Sequence, residues 1–173
     1  MTSDDATAPR RDLTAHPHVA AVLDVLRVHG IDPELRQLPD AVRTAQAAAD
    51  ALGITPAEIA NSLVFDATTA DGAHEPVLVL ASGGHRVDTA KVAALLGIDA
   101  LDRADPAFVR AHTGMAIGGV GPVGHPAPLR TVVDVTLGRY DTVWAAAGHS
   151  HTVFATTYDE LIRVTGGSPM DVA

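Results

Sequence analysis

Cysteine is absent from this chain of 173 residues, and its absence excludes disulfides, thiolate metal sites, thiol nucleophiles and iron–sulfur clusters. Aromatic residues make up only 3% of the chain against 47% hydrophobic residues, so the core must be built from Ala, Val, Leu and Ile. No hydrophobic run approaches the length of a transmembrane helix, and residues 1–11 lack the apolar segment of a signal peptide. We therefore expect a soluble cytoplasmic protein with no membrane partner.

Positive charge is scarce as well. The chain has 12 basic and 21 acidic residues, a formal net charge of −9, and Lys91 is its one lysine. This balance argues against non-specific nucleic-acid binding, and we expect no DNA partner. It leaves room for a local basic patch that grips one end of an RNA.

The length fits one domain, with residues 1–12 as a disordered leader and residues 13–173 as the domain. Apolar spacing, capping residues and glycine stops predict helices over residues 16–30, 44–53, 88–97, 105–113 and 158–165. Apolar β-rich runs predict strands over residues 34–38, 62–67, 76–81, 129–135, 142–147 and 152–157. A capping box at residues 55–58 predicts a short helix that runs into Asn61. Because the strands come in runs without βαβ alternation, we expect an α/β or α+β domain around a mixed, barrel-like sheet.

Five glycines and a proline crowd residues 114–124, so this segment is neither a helix interior nor a central strand. It lacks the strand–loop–helix context of a dinucleotide-binding loop, and the chain has no Gly-Lys-Ser/Thr of a Walker loop. Two interpretations stay open. The segment is a structural turn between a helix and a strand, or it is the wall of a small-molecule pocket whose N–H groups face a carbonyl or hydroxyl.

His149 and His151 lie two residues apart on an extended segment and therefore share a face. With His125 or His112 as a third ligand they would form a metal site, but carboxylates with recognisable metal spacing are absent, and we expect no metal. A histidine that orients a substrate or water fits better. Two surface histidines that flank a turn are the remaining alternative.

Ser62 and Ser82 are the candidates for a serine nucleophile, but no nucleophile-elbow sequence surrounds either of them. Asp134 lies near the end of an apolar strand and needs a partner if it is buried. It is either a catalytic carboxylate or a cap for the turn that follows.

Seven short segments follow one another in a fixed order: TAxxAAxxLG (44–53), IANSLVF (59–65), VLVLASG (77–83), KVAALLG (91–97), TGxxxGGVxPxG (113–124), VDxxL (133–137) and AGxxHT (147–152). In this order they resemble the YbaK/EbsC-type aminoacyl-tRNA deacylases, relatives of the editing domain inserted in bacterial prolyl-tRNA synthetases. The resemblance covers about residues 15–167.

The resemblance implies a curved, barrel-like mixed sheet flanked by helices. It also implies an enzyme that acts in trans, hydrolysing the ester between a wrong small amino acid and the 3′ end of a tRNA. Such editing restores fidelity because a synthetase pocket discriminates weakly against a ligand of similar or smaller size. No cofactor is implied, and a ribose hydroxyl of the terminal adenosine helps to activate water. The implied partners are the aminoacyl-tRNA 3′ end and, as a second candidate, an aminoacyl-tRNA synthetase.

The resemblance also assigns site residues. Asn61 and His151 take the catalytic positions. His151 matches a pocket histidine of the family, and Asn61 lies where many members carry a lysine. The residues that match substrate-binding motifs are Gly118, Gly119, Gly121, Pro122, Asp134 and Gly148.

Asn61 is the departure from the family pattern, because many members carry a lysine there to orient the terminal nucleotide or its phosphate. An asparagine can hydrogen-bond a ribose hydroxyl or a phosphate oxygen, but it places no charge against an anion. Arg43 and Arg86 are candidates to supply that charge. The alternative is a non-catalytic family member that binds an aminoacyl-tRNA end or a synthetase.

Overall fold

The computed structural model describes residues 11–173, and most of the expected leader, residues 1–10, lies outside the described residues. The five predicted helices are confirmed as α1 (Pro17–Val28), α2 (Ala45–Leu52), α3 (Thr89–Leu96), α4 (Pro106–Thr113) and α5 (Tyr158–Thr165). Local capping explains their bounds. Thr44, for example, accepts the Ala47 N–H at the start of α2, and α2 ends at Gly53 in the left-handed region.

The strands are β1 (Leu35–Gln37), β2 (Ala60–Thr68), β3 (His74–Ser82), β4 (Ala100–Arg103), β5 (Arg130–Asp134), β6 (Val143–Ala146), β7 (Thr152–Thr156) and β8 (Ser168–Met170). The predicted hairpin of β2 and β3 is confirmed, with Ala60 opposite Ser82 and Thr68 opposite His74. The short strands β4 and β8 are not predicted by the sequence. Each lies at an edge of a sheet and depends on pairing with one neighbour.

The predicted capping box is present, because the Glu58 carboxylate accepts both the N–H and the hydroxyl of Thr55, at 2.8 and 2.9 Å. The short helix, however, is a single 3-10 turn over Pro56–Glu58, and the prediction that it runs into Asn61 is wrong. Ile59 is already extended and forms a parallel bridge with Trp144, so Asn61 is the second residue of β2.

The α/β class with mixed sheets is confirmed, but the strands form two sheets and not a closed barrel. The larger sheet has the order β4-β2-β3-β5-β8, with β5 parallel to both of its neighbours, and the smaller has the order β1-β7-β6. β4 pairs with β2 only from Phe65 to Thr68, so the first half of β2 keeps a free edge that faces the smaller sheet. This edge opens a cleft between the two sheets.

Apolar residues on both faces of the β2–β3 hairpin form the core. Leu78 and Leu80 pack in one cluster with Phe154, while Val77 and Val79 pack in a second cluster against α3. A third cluster, around Trp144 and α2, fills the space behind the cleft. Across residues 11–173, the structure has no helix with the length and apolar character that crossing a membrane requires.

Candidate functional site

A small pocket lies at the free edge of β2, between the two sheets. Its lining includes the polar residues Asn61, Ser62 and Arg43 together with Gly118, Trp144 and Val153. We call it the cleft pocket. Its volume is about 40 Å³, room for about three water-sized groups.

The register of the hairpin determines which peptide groups face the cleft pocket. The Gly83 N–H donates to the Ile59 carbonyl at 2.9 Å, and pairs in an antiparallel ladder alternate between bonded and non-bonded. The peptide groups of Asn61 therefore point to β3, whereas those of Ser62 point to the free edge. A ligand in the cleft can consequently bind main-chain donor and acceptor groups of Ser62.

The Ser62 hydroxyl is not one of these ligand-binding groups. Successive side chains of a strand point to opposite faces, so the hydroxyl lies on the face of β2 opposite to the Asn61 side chain. Within residues 11–173, its oxygen is the one buried side-chain nitrogen or oxygen that has no hydrogen-bond partner. A buried polar group without a partner is unfavourable for stability.

Two residues of the glycine–proline element, Gly118 and Val120, line the cleft pocket with Asn61. The φ of Gly118 is +92°, and a methyl group built on it would lie 2.9 Å from the Cα and Cβ of Arg43. Only glycine accepts this backbone and this approach. The close packing on Arg43 fits the interpretation as a structural turn, and the interpretation as a ligand-binding wall stays a prediction.

The other residues of this element lie elsewhere. Gly119 packs against the main chain of His149 and Ser150. Gly121 packs against Val22 of α1, and Pro122 lines a separate cavity with His125. These residues set the path of the loop between α1 and the turn after β6.

His151 lies outside the cleft pocket. One of its ring nitrogens, Nδ1, is 3.1 Å from the Leu38 carbonyl, and its own carbonyl accepts the Leu38 N–H at 2.7 Å. The Ser150 carbonyl likewise accepts the Val42 N–H at 2.7 Å. His151 thus ties the turn after β6 to residues 38–42, the segment that carries Arg43 to the cleft pocket.

Asp134 is fully buried at the end of β5, and it also lies outside the cleft pocket. Its carboxylate accepts the N–H groups of Ser82 at 2.9 Å and Thr136 at 3.0 Å, and it contacts Nε2 of His85. These contacts cap the turn Val135–Arg139 and join it to the end of β3. They favour the capping role over the catalytic one.

A second depression lies beside the cleft pocket, and we call it the basic basin. Its side chains include His16, His18, Arg43, Arg110 and His149, and Gly119 and Gly148 line it with main chain. Arg43 lines both cavities, whereas Arg86, the other candidate for a missing charge, lines neither.

The histidines of the basin are crowded. The ring of His16 lies 5.1 Å from that of His18 and 5.0 Å from that of His149, between centroids. Burial lowers the pKa of His18 and of His149, and the neighbouring His16 lowers both further; Arg110 adds to the effect at His18. His112 and His125 are not part of this group, because His112 packs on Phe108 and His125 binds the Gly121 carbonyl. In residues 11–173, no cluster of three or more His, Asp or Glu side chains has the geometry of a metal site.

These features define an α/β domain whose two sheets enclose a small cleft with main-chain groups on one side and apolar side chains on the other. A family model for the aminoacyl-tRNA editing domain matches residues 39–164, and the chain belongs to this family. The resemblance seen in the sequence is thereby confirmed.

Individual relatives agree with this assignment. The uncharacterized protein YwhH of Bacillus subtilis (strain 168) is 32% identical over 118 residues, which cover 68% of this chain and 72% of that protein. The proline–tRNA ligase of Nitratidesulfovibrio vulgaris (strain DP4) is 35% identical over 129 residues, which cover 68% of this chain but 21% of the ligase. The crystal structure of a candidate trans-editing enzyme for prolyl tRNA synthetase is 39% identical with a TM-score of 0.80, covering 90% of this chain and 96% of that one.

Proposed function

We propose that this protein is a free-standing aminoacyl-tRNA deacylase, which hydrolyses the ester of a wrongly attached small amino acid at the 3′ end of a tRNA. Membership of the aminoacyl-tRNA editing family supports the reaction type. The observation that carries the proposal for this chain is that Asn61, Gly118 and Arg43, from three separate parts of the fold, line one pocket at the free edge of β2. An enzyme of this kind works in the cytoplasm, where its tRNA substrate is charged.

The chemistry needs water, an ester and hydrogen-bond donors. Water attacks the carbonyl carbon of the ester, the carbonyl oxygen gains negative charge, and a main-chain N–H such as that of Ser62 stabilises it. The bond from the carbonyl carbon to the ribose oxygen then breaks, and that oxygen takes up a proton. The products are the free amino acid and a tRNA with its ribose hydroxyl restored.

Asn61 and the glycine loop bind the substrate in this proposal. The Asn61 amide hydrogen-bonds the free ribose hydroxyl of the terminal adenosine, the group that helps to activate water. Gly118 leaves room for the ester to approach the main chain. His151 acts as a positioning residue, because its contacts with Leu38 hold the segment that carries Arg43. Asp134, Gly119, Gly121 and Gly148 hold the loops that surround the pocket.

The size of the cleft pocket favours a small amino acid. Space for about three water-sized groups, with Trp144 and Val153 as apolar walls, suits a side chain such as that of alanine or serine. Trp144 is buried in the third core cluster, so this wall of the pocket is well packed.

A panel of mischarged tRNAs tests the proposal. The protein should hydrolyse at least one of Ala-, Ser-, Thr- and Cys-tRNA faster than buffer, and correctly charged Pro-tRNA serves as the control ester. Asn61→Ala should reduce kcat/KM by about tenfold or more, because one substrate hydrogen bond is lost. His151→Ala should reduce it less, whereas exposed Asp141→Ala should leave it unchanged. If no ester in the panel is hydrolysed faster than in buffer, the proposal is wrong.

Asn61 also supports a second candidate, a family member that binds an aminoacyl-tRNA end or a synthetase without hydrolysing the ester. The reason is the uncharged side chain at position 61, where the family resemblance implies a lysine. A non-hydrolysable aminoacyl-adenosine analogue separates the two candidates. Tight binding of this analogue together with no turnover of any mischarged tRNA favours the second candidate.

A further inference from the structure

The basic basin concentrates positive charge in a protein that is strongly acidic. It has a volume of about 160 Å³, and no residue that lines it within the described chain is acidic. The chain as a whole carries a net charge of −9. The charged and titratable groups of the basin come from four separate parts of the fold. They are His16 and His18 at the start of α1, Arg43 before α2, Arg110 on α4, and His149 with neighbouring His151 after β6. A cavity of this composition attracts an anion.

Two glycines allow the walls of the basin to converge. A methyl group built on Gly148, whose φ is +97°, would lie 2.7 Å from the His18 carbonyl oxygen. One built on Gly119 would lie 2.9 Å from the main chain of His149 and Ser150. Any side chain at either position would separate α1, the glycine loop and the turn after β6, and would open the basin.

The histidines present their donors in a defined way. Nδ1 of His16 accepts the His18 N–H at 3.2 Å, and Nδ1 of His149 accepts the His151 N–H at 3.1 Å. The neutral rings therefore carry their proton on Nε2, which remains a donor. Burial first, and then the neighbouring cationic groups, disfavour an additional proton on His18 and His149, and a bound anion would offset both effects.

We propose that the basic basin binds a phosphate group, namely the 5′-phosphate of the terminal nucleotide whose aminoacyl ester enters the cleft pocket. Arg43 lines both cavities, so the two sites are adjacent, as the ester and the phosphate of one nucleotide must be. The planar guanidinium groups of Arg43 and Arg110 suit phosphate oxygens. The basin would thus supply the positive charge that Asn61 lacks. The identity of the phosphate rests on the proposed function.

Binding of adenosine 5′-monophosphate, compared with adenosine, tests the proposal without any ester chemistry. Histidine ring signals are followed by NMR during titration with each nucleoside and with inorganic phosphate. We expect 5′-AMP to shift the ring signals of His18 and His149 and to bind about tenfold more tightly than adenosine. Inorganic phosphate should shift the same rings. Equal affinity for AMP and adenosine, or AMP binding that leaves these rings unshifted, overturns the proposal.

Arginine variants supply the matched control. Arg110 and Arg139 are both exposed, and Arg139 lies on the turn after β5, outside the basin. Arg110→Gln should weaken AMP binding by about tenfold, whereas Arg139→Gln should leave it unchanged. An equal effect of the two substitutions contradicts a site in the basin.

Failure of this inference and failure of the proposed function give different results. If AMP binds in the basin but no mischarged tRNA is hydrolysed, the phosphate site stands and the deacylase proposal falls. If mischarged tRNA is hydrolysed with the same kcat/KM by the wild type and by Arg110→Gln, the deacylase stands and the phosphate site falls.

Discussion

Two serines on adjacent strands show how the same side chain can have opposite effects on stability at two positions. The Ser82 hydroxyl donates to the Ala57 carbonyl at 2.8 Å, whereas the buried Ser62 oxygen has no partner within the described residues. A buried hydroxyl that forms no hydrogen bond loses its hydration and gains nothing in return.

Alanine substitutions at the two serines should therefore have opposite effects on stability. Ser62→Ala should raise the free energy of unfolding by about 1 kcal/mol, because an unsatisfied polar group is removed. Ser82→Ala should lower it by about 1 kcal/mol, because a hydrogen bond is lost. Urea unfolding measures both. A Ser62→Ala variant that is less stable than the wild type would contradict this prediction.

At the level of elements, the close approach of α1 to the turn after β6 depends on one residue. Gly148 has a φ of +97°, and a methyl group there would lie 2.7 Å from the carbonyl oxygen of His18. Gly53 also has a positive φ, +69°, but a methyl group there would meet nothing within 4 Å. A side chain at Gly53 would therefore cause backbone strain alone, whereas a side chain at Gly148 would cause both strain and a steric clash.

Gly148→Ala should therefore lower the free energy of unfolding by roughly 3 kcal/mol or more, since strain and a clash with main chain add together. Gly53→Ala should lower it by only about 1 kcal/mol, through strain alone. Urea unfolding of both variants measures the difference. Equal losses would mean that the α1 contact adapts at little cost.

Local causes and long-range contacts also explain which helices and strands can be predicted from the sequence. The five helices are predictable because each is capped by a neighbouring side chain, as α2 is by Thr44. The strands β4 and β8 are not, because short segments such as residues 168–170 become strands only by pairing with a distant partner. The division into two sheets likewise depends on where β4 stops pairing with β2.

For the whole molecule, the candidate site is likewise predictable only where local sequence motifs determine it. Asn61 and Gly118 are predicted from the family motifs, and the structure brings them together in one pocket. His151, which the motifs also assign to the pocket, lies outside it. The basic basin is invisible in the sequence, because His18, Arg110 and His149 belong to segments that meet only in the folded chain.

The histidines also make the stability of the molecule depend on pH. Burial lowers the pKa of His18, His125 and His149 below the ordinary histidine value of about 6.5. Below that pH the unfolded chain binds protons that the folded chain resists, so these groups reduce stability as pH falls through about 6.5. Their effect levels off once the pH is below the lowered pKa values of the folded state. Above about 7.5 they make no difference, because they are neutral in both states.

Substitution of one ring isolates this effect. The free energy of unfolding of His149→Gln, measured relative to the wild type by urea unfolding, should rise as the pH is lowered from 7.5 to about 5.5, because the variant has lost one group that resists protonation. Val28, which is exposed and has no titratable group, serves as the control when it is substituted by Gln. Inorganic phosphate should diminish the difference, since an anion in the basin favours the charged ring and stabilises the folded state that binds it. A relative stability that does not change with pH would mean that His149 titrates alike in the folded and unfolded chain.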